Sequence, residues 1–211
     1  LIDAVRKVYA SLFTDRAISY RRLRNFKGSL SISVGVQEMV RSDIGSSGVA
    51  FTLDTESGYR GSIFITSSYG LGEGIVQGTV NPDEFYVFKW ALKKNDFPII
   101  KKNLGEKAKK MIFADNNLPG KSVKYVKVPK KEANEFSLTN SEIIELAKYA
   151  KTIEDHYKVP MDIEWARDGK DKKIYILQAR PETVQSKVSN YFEKYTLKEK
   201  GELIVSGKSV G

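Results

Sequence analysis

The second half of the sequence contains two pairs of polar residues, each pair two residues apart: one pair carries two carboxylates, and the other carries an amide and a guanidinium. Asp162 and Glu164 stand on one stretch of alternating apolar and polar residues, and Gln178 and Arg180 stand on another. Magnesium prefers oxygen ligands and shares them with phosphate groups, and a guanidinium binds phosphate through two parallel hydrogen bonds. These residue types therefore suit a metal-bound polyphosphate.

The two stretches predict a β-hairpin around a polar turn at 168–172. The antiparallel register that pairs Asp162 with Arg180 also pairs Glu164 with Gln178, and it places all four on one face. The opposite, apolar face is then expected to hold Ile163, Trp165, Leu177 and Ala179. A solvent-facing hairpin whose Asp–Arg pair contributes under ~1 kcal/mol is the alternative, and spacing alone leaves both interpretations open.

A helix is predicted immediately before this hairpin. Thr139 and Glu142 have the spacing of a capping box, and a stripe of apolar residues at helical spacing runs on towards Pro160. The stripe consists of Ile143, Leu146, Ala147, Ala150, Ile153 and Tyr157. His156 lies near the end of this helix, and we interpret it as an ordinary polar residue there.

The first 90 residues predict two helices followed by four strands. The helices fall within 2–24, and the second begins at Thr14 or Asp15. Alternating apolar residues predict strands at 31–40, 49–53, 63–65 and 85–90. Glu38 interrupts the apolar face of the first strand.

Glycines at 70, 72, 74 and 78 lie between the third and fourth of these strands. Such a loop turns sharply and can bring backbone N–H groups close to a phosphate. Its spacing matches neither the dinucleotide-binding fingerprint nor the P-loop, and many glycine-rich connections are plain turns. The loop alone decides nothing.

The composition, 41% hydrophobic and 29% charged, is that of a globular protein. The absence of cysteine excludes disulfide scaffolds, thiol nucleophiles and cysteine-based metal centres, and it fits a reducing compartment, so we expect the cytoplasm. No apolar run approaches the ~18 residues of a membrane span, and no secretory signal pattern is present. Because the first residue is Leu rather than Met, we expect a fragment or a processed chain.

The positive charge is concentrated in residues 92–131. Twelve lysines and three acidic residues give this stretch a charge of +9, which equals the formal net charge of the whole chain. A solvated lysine-rich face, an anionic ligand, or a basic surface for nucleic acid or protein would each explain it. Lysines dominate and aromatics are few, whereas nucleic-acid modules tend to use arginine and stacking rings.

Six segments of the sequence resemble, in the same order along the chain, segments of a known protein family. They are residues 34–43, 47–58, 69–78, 81–84, 160–165 and 178–183. Over about residues 8–186 the chain closely resembles the nucleotide-binding domain of the phosphoenolpyruvate synthase family, the pyruvate, water dikinases, within a wider family that includes pyruvate phosphate dikinase.

The resemblance implies an α+β fold of ATP-grasp type, with a mixed or antiparallel sheet, flanking helices, and ATP between two lobes. Family enzymes transfer the β-phosphoryl group of ATP to a histidine on a swivelling domain and then to pyruvate, releasing AMP and phosphate. The resemblance implies the following roles: Glu164 and Gln178 hold magnesium, Arg180 contacts the phosphates and Asp162 supports them, Gln37, Glu38, Met39 and Val40 border the adenine, and Glu73 approaches the phosphates.

The sequence also departs from the family pattern. The family's upstream lobe, its phosphorylated histidine and its pyruvate-binding barrel have no counterpart among these residues. The resemblance therefore predicts two parts: residues 1–186 from the ATP-grasp domain, and residues 187–211 as a linker with the first strand of the swivelling domain. We expect such a piece to be inactive without the remaining domains, and we expect neither a nucleic-acid nor a membrane partner.

Overall fold

The structure is a computed structural model that describes residues 1–94, 97–114 and 122–183. The chain divides into two compact units, Leu1–Met39 and a second that begins at Val40. The first contains α1 (Ile2–Ser11) and α2 (Asp15–Leu23). The Thr14 hydroxyl accepts a hydrogen bond from the Ala17 N–H (3.4 Å), so the predicted helix pair is confirmed with Thr14 as the cap.

The strand predicted over residues 31–40 is wrong, since this stretch has no regular secondary structure. A strand is stabilised by pairing with a neighbour and by burial of one face. No described strand pairs with this stretch, and Val36 on its expected apolar face is 73% exposed. Glu38 is exposed as well and does not interrupt an apolar strand face.

The second unit contains a six-stranded antiparallel sheet. Its strands are β1 (Ser46–Phe51), β2 (Ser62–Tyr69), β3 (Asp83–Phe88), β4 (Ile99–Asn103), β7 (Met161–Arg167) and β8 (Ile174–Pro181). Their order in the sheet is β4-β3-β2-β1-β7-β8. A separate hairpin is formed by β5 (Lys109–Phe113) and β6 (Val123–Lys127). The predicted α+β class and antiparallel sheet are thus confirmed, although Trp90 lies in a helix rather than in the fourth predicted strand.

Among the described residues of this unit, four helices and a 3-10 turn (Ser42–Ile44) accompany the strands. The helices are α3 (Glu73–Val76), α4 (Lys89–Lys94), α5 (Lys130–Ala133) and α6 (Asn140–Tyr157). No helix in the three described ranges is long and apolar enough to cross a membrane.

Helix α6 begins and packs as its sequence predicts. The Thr139 hydroxyl accepts the Glu142 N–H (3.3 Å), and the Glu142 carboxylate accepts the Thr139 N–H (2.8 Å), which completes the capping box. The residues of the stripe that are buried against the sheet are Ile143, Leu146, Ala147 and Ala150. Tyr157 is exposed, so the buried part of the stripe ends before it.

The hairpin of β7 and β8 has the predicted register at its open end, where Asp162 pairs with Arg180 and Glu164 with Gln178. Beyond this point the register shifts by one residue, because Trp165 pairs with Ile176 and leaves Leu177 as a β-bulge.

The bulge reverses which residues of β8 face α6. Ile174 is buried in the core beside Trp165, whereas Leu177 is 40% exposed. The prediction that Leu177 fills the apolar face is therefore wrong. In a regular strand Ile174, Gln178 and Arg180 would all lie on one face, because they are an even number of residues apart. The bulge places Ile174 in the core while Gln178 and Arg180 stay on the other face.

The face of the sheet away from α6 carries two rows of side chains that cross all six strands. One row consists of Arg180, Asp162, Phe51, Phe64, Tyr86 and Lys101. The other consists of Gln178, Glu164, Val49, Thr66, Glu84 and Asn103. The four site residues predicted from the hairpin occupy one end of both rows.

Candidate functional site

Arg180 and Asp162 form an ion pair at the edge of this face. The Nε and Nη2 atoms of Arg180 both lie 2.8 Å from Oδ2 of Asp162. The Arg180 side chain is 61% exposed and that of Asp162 is 13% exposed. Asp162 therefore fixes one edge of the guanidinium while the rest of the group stays accessible to a ligand.

Glu164 and Gln178 lie side by side in the next pair of the same register. Glu164 is half-buried and Gln178 is exposed. Neither side chain has a hydrogen-bond or ion-pair partner in the part of the chain that the structure describes. A half-buried carboxylate without a partner costs free energy, and bound cations or donors offset such a cost.

The donor set fits magnesium as far as oxygen ligands are concerned. Glu164 and Gln178 each offer a free oxygen, and directly opposed strand residues have Cβ atoms about 5 Å apart. Among the described residues no group of three or more His, Cys, Asp or Glu side chains is placed to hold a metal. The pair therefore suits a magnesium ion that keeps water and phosphate oxygens as its other ligands.

Glu73 lies apart from these four residues. It is exposed in the first turn of α3, and its Oε1 accepts a hydrogen bond from Nε2 of Gln77 (2.8 Å). The glycine-rich loop follows Tyr69, which is paired through Ser46 to Arg167 at the turn end of β7. The structure does not bring Glu73 into contact with the Asp162–Arg180 pair.

The residues predicted to border an adenine lie where the two units meet in the sequence. Gln37, Glu38 and Met39 end the first unit and are exposed, and Val40 begins the second and is half-buried.

A cluster that the sequence analysis did not identify follows directly after Val40. The guanidinium of Arg41 donates from Nε and Nη2 to the two carboxylate oxygens of Asp43 (2.8 and 2.9 Å), and Asp43 is buried. The Arg41 N–H donates to Oδ2 of Asp168 (2.9 Å) in the turn between β7 and β8. This hydrogen bond lowers the pKa of Asp168 below its usual value. The sequence gives no signal that Arg41 and Asp168 meet, because they are 127 residues apart. Residues 168–172 by themselves indicate only a turn.

Several lysines of the basic stretch are committed to contacts within the chain. Lys107 is fully buried and pairs with Asp83, which is also fully buried. Lys110 pairs with Glu132 (3.1 Å), and Lys101 and Lys109 lie over the rings of Tyr86 and Tyr125. In the described part of residues 92–131, these four lysines therefore have partners within the chain.

Comparison with known proteins agrees with the resemblance found in the motifs. Residues 1–200 match the family described as "Pyruvate phosphate dikinase, AMP/ATP-binding domain". The chain is 54% identical to phosphoenolpyruvate synthase of Pseudomonas aeruginosa and 52% identical to that of Escherichia coli, in each case over 100% of this chain and 27% of the relative. It is 39% identical to a probable phosphoenolpyruvate synthase of Pyrococcus horikoshii, over 98% of this chain and 24% of that protein.

The chain thus spans about a quarter of the length of these relatives. The family match covers most of the chain, including the β7–β8 hairpin and the loops beside it. On this evidence the chain belongs to the pyruvate phosphate dikinase AMP/ATP-binding domain family.

Proposed function

We propose that this chain is the ATP- and magnesium-binding portion of a phosphoenolpyruvate synthase, with an ATP-grasp type of fold. The complete enzyme would phosphorylate pyruvate with ATP and water, giving phosphoenolpyruvate, AMP and phosphate, through a phosphohistidine on a swivelling domain. The observation that carries the proposal is the pair Glu164 and Gln178, whose side chains have no partner among the described residues and which lie directly beside the Asp162–Arg180 pair.

The four side chains would divide the work by charge and exposure. Magnesium, when bound, would neutralise charge on the phosphate oxygens, with Glu164 and Gln178 as its protein ligands. Arg180 would turn its exposed guanidinium edge towards the phosphates and stabilise the charge that develops during transfer. Asp162 would keep that guanidinium aligned through the hydrogen bond and the ion pair that it already forms with it.

The remaining assignments rest on the resemblance. Gln37, Glu38, Met39 and Val40 would border the adenine, and Glu73 would approach the phosphates from the glycine-rich loop. A fixed strand is not needed for the first role, because an exposed segment can become ordered when it binds a ligand. For Glu73, a change of partner from Gln77 to the ligand shell would be required.

Titration of the chain with ATP in the presence and absence of magnesium tests the proposal. Isothermal calorimetry or NMR should show magnesium-dependent binding that Glu164→Gln and Arg180→Ala each weaken by about tenfold or more. Lys170→Ala, which removes an exposed cation from the turn of the same hairpin, should bind like the unmodified chain.

In a complete enzyme assembled with the remaining domains, Arg180→Ala should lower kcat by about a hundredfold, because preorganised groups that stabilise developing charge typically have this effect. ATP binding that does not respond to magnesium or to these variants would contradict the site assignment. Full activity of the assembled Arg180→Ala enzyme would do the same.

A further inference from the structure

Three loops of the second unit meet beside the hairpin that carries the proposed phosphate site. They are the 3-10 turn after Val40, the turn between β7 and β8, and the start of the glycine-rich loop. We call their meeting point the loop junction and define it by Arg41, Asp43, Gly45, Gly70, Asp168 and Gly169.

Asp168 holds the two sides of the junction together. Its Oδ2 accepts the N–H of Arg41 (2.9 Å), and its Oδ1 accepts the N–H of Lys170 (2.7 Å) within its own turn. The neighbouring Gly169 N–H donates to the Arg41 carbonyl (3.0 Å). Both backbone polar groups of Arg41 are therefore bonded to the β7–β8 turn.

Close backbone contacts make this arrangement rigid. A Cβ on Gly45 would lie 2.1 Å from the Arg167 carbonyl oxygen, and a Cβ on Gly169 would lie 2.3 Å from the Ile44 carbonyl oxygen. Side chains cannot occupy such space, so the backbones approach as only glycine permits.

The glycine-rich loop is fixed to the same place. The Gly70 N–H donates to the Gly45 carbonyl (3.3 Å), and the Ser47 hydroxyl donates to the Gly70 carbonyl (2.6 Å). Gly70 has a φ of +89°, and a Cβ there would lie 2.5 Å from the Met111 carbonyl oxygen.

We propose that Asp168 is a positioning residue of the nucleotide site, because it holds Arg41, the residue after the predicted adenine-bordering stretch, against the hairpin that carries Glu164 and Gln178. This inference rests on the proposed function. Strand β7 runs from Glu164 to Arg167, about 10 Å, and connects the turn to the proposed site residues. Phosphoryl transfer depends on such positioning, and a misplacement of about 1 Å can cost about a hundredfold in rate.

Asp171 provides a matched control. It lies in the same turn, where its carboxylate accepts the Lys173 N–H (2.9 Å) and the Tyr175 hydroxyl (2.5 Å), and neither of these bonds involves Arg41. Asp168→Ala and Asp171→Ala therefore both weaken the turn, but only the first releases Arg41.

The experiment is an NMR titration of the 15N-labelled chain with Mg-ATP, combined with amide hydrogen exchange and thermal unfolding of each variant. We expect Asp168→Ala to speed exchange at the Arg41 and Gly169 amides and to weaken Mg-ATP binding by about tenfold, with a Tm no lower than that of Asp171→Ala. Asp171→Ala should leave both readouts within about twofold of the unmodified chain. If the alanine variant does not fold, Asp168→Asn replaces it, because asparagine keeps one acceptor oxygen. We expect Asp168→Asn to weaken Mg-ATP binding by about threefold.

Unchanged affinity in the Asp168 variants would overturn the inference, as would an equal loss in both alanine variants, which would indicate general damage to the turn. If the unmodified chain itself binds no Mg-ATP, the proposed function is wrong and the inference falls with it. Binding by the unmodified chain together with unchanged binding by the Asp168 variants overturns the inference alone.

Discussion

Arg180 donates a hydrogen bond from Nε to Asp162, forms an ion pair with it through Nη2, and yet leaves most of its side chain in solvent. Ion pairs with one exposed partner contribute little to folding, because water screens the attraction and holding a long side chain costs entropy. Removal of the Arg180 side chain should therefore weaken ligand binding with little effect on the free energy of unfolding.

We predict that Arg180→Ala lowers the free energy of unfolding by less than about 1 kcal/mol while it weakens Mg-ATP binding. Urea denaturation of the variant and of Lys170→Ala measures the first quantity. A loss of several kcal/mol would show that the pair holds the hairpin together and would weaken its assignment to phosphate.

We predict that the free energy of unfolding falls at alkaline pH because of two tyrosines with raised pKa values. Burial, helped by nearby carboxylates, raises the pKa of Tyr69 and of Tyr86 to about 12. In the unfolded chain these phenols ionise near 10, so between about pH 10 and 12 the folded state binds more protons than the unfolded state. Their contribution is therefore full below pH 10 and is lost as the pH rises towards 12.

Urea denaturation between about pH 9 and 11.5 measures this effect. The double variant Tyr69→Phe, Tyr86→Phe should lose less stability over this range than the unmodified chain. Equal slopes would contradict the predicted pKa shifts.

At the scale of elements, a buried ion pair connects three segments that are distant in the sequence. Asp83 at the start of β3 accepts bonds from Lys107, from the Gly105 N–H (2.9 Å), and from the N–H and hydroxyl of Ser137 (2.8 and 2.7 Å) before α6. Among these donors only Lys107 carries a positive charge, so it alone balances the negative charge of this fully buried carboxylate.

We predict that Lys107→Met destabilises the chain by about 3–5 kcal/mol, since it leaves the Asp83 charge buried without its counter-ion. Lys110→Met is the matched control: that lysine pairs with the half-exposed Glu132, and its loss should cost under about 1 kcal/mol. Denaturant unfolding of the two variants gives the comparison, and similar losses in both would contradict it.

The sequence predicted those elements whose pattern is local. The capping box fixes the start of α6 through bonds between residues three apart, and the alternation of polar and apolar residues fixes the register of Asp162 with Arg180. The predicted strand at 31–40 failed because alternation describes only one strand, whereas pairing needs a neighbour that the local pattern does not contain.

Part of the candidate site was predictable for the same reason. The four hairpin residues lie within one supersecondary unit, so spacing was enough to bring them together. The bonds of Arg41 to Asp168 and of Lys107 to Asp83 join segments whose approach depends on the whole sheet. Neither bond has a signature in residue spacing.

At the scale of the whole molecule, the proposed site would supply groups for phosphate and magnesium, and the phosphohistidine of the proposed reaction would belong to a separate domain. Its one histidine, His156, lies near the end of α6 against the edge of the Tyr157 ring (4.8 Å between centroids). Phosphoryl transfer requires donor, metal and acceptor to be held in line. An isolated binding side supplies only part of that geometry.

We predict that the 211-residue chain forms no AMP from ATP in response to pyruvate, although it binds Mg-ATP. Chromatographic assay of AMP with and without pyruvate measures this, with a full-length relative as the positive control. Pyruvate-dependent AMP formation by the chain alone would show that the transfer needs fewer parts than we propose.

The bulge at Leu177 also bears on how this hairpin tolerates changes of length. In a regular hairpin, losing one residue on one arm slips the pairing and moves every side chain beyond it to the opposite face. Here β8 already contains one residue more than its partner at a point between the turn and Gln178. A single-residue deletion there can be absorbed by straightening the strand, which leaves the partners of Asp162 and Glu164 unchanged. The pairs at the open end, Asp162 with Arg180 and Glu164 with Gln178, should therefore survive a one-residue change of length near the turn.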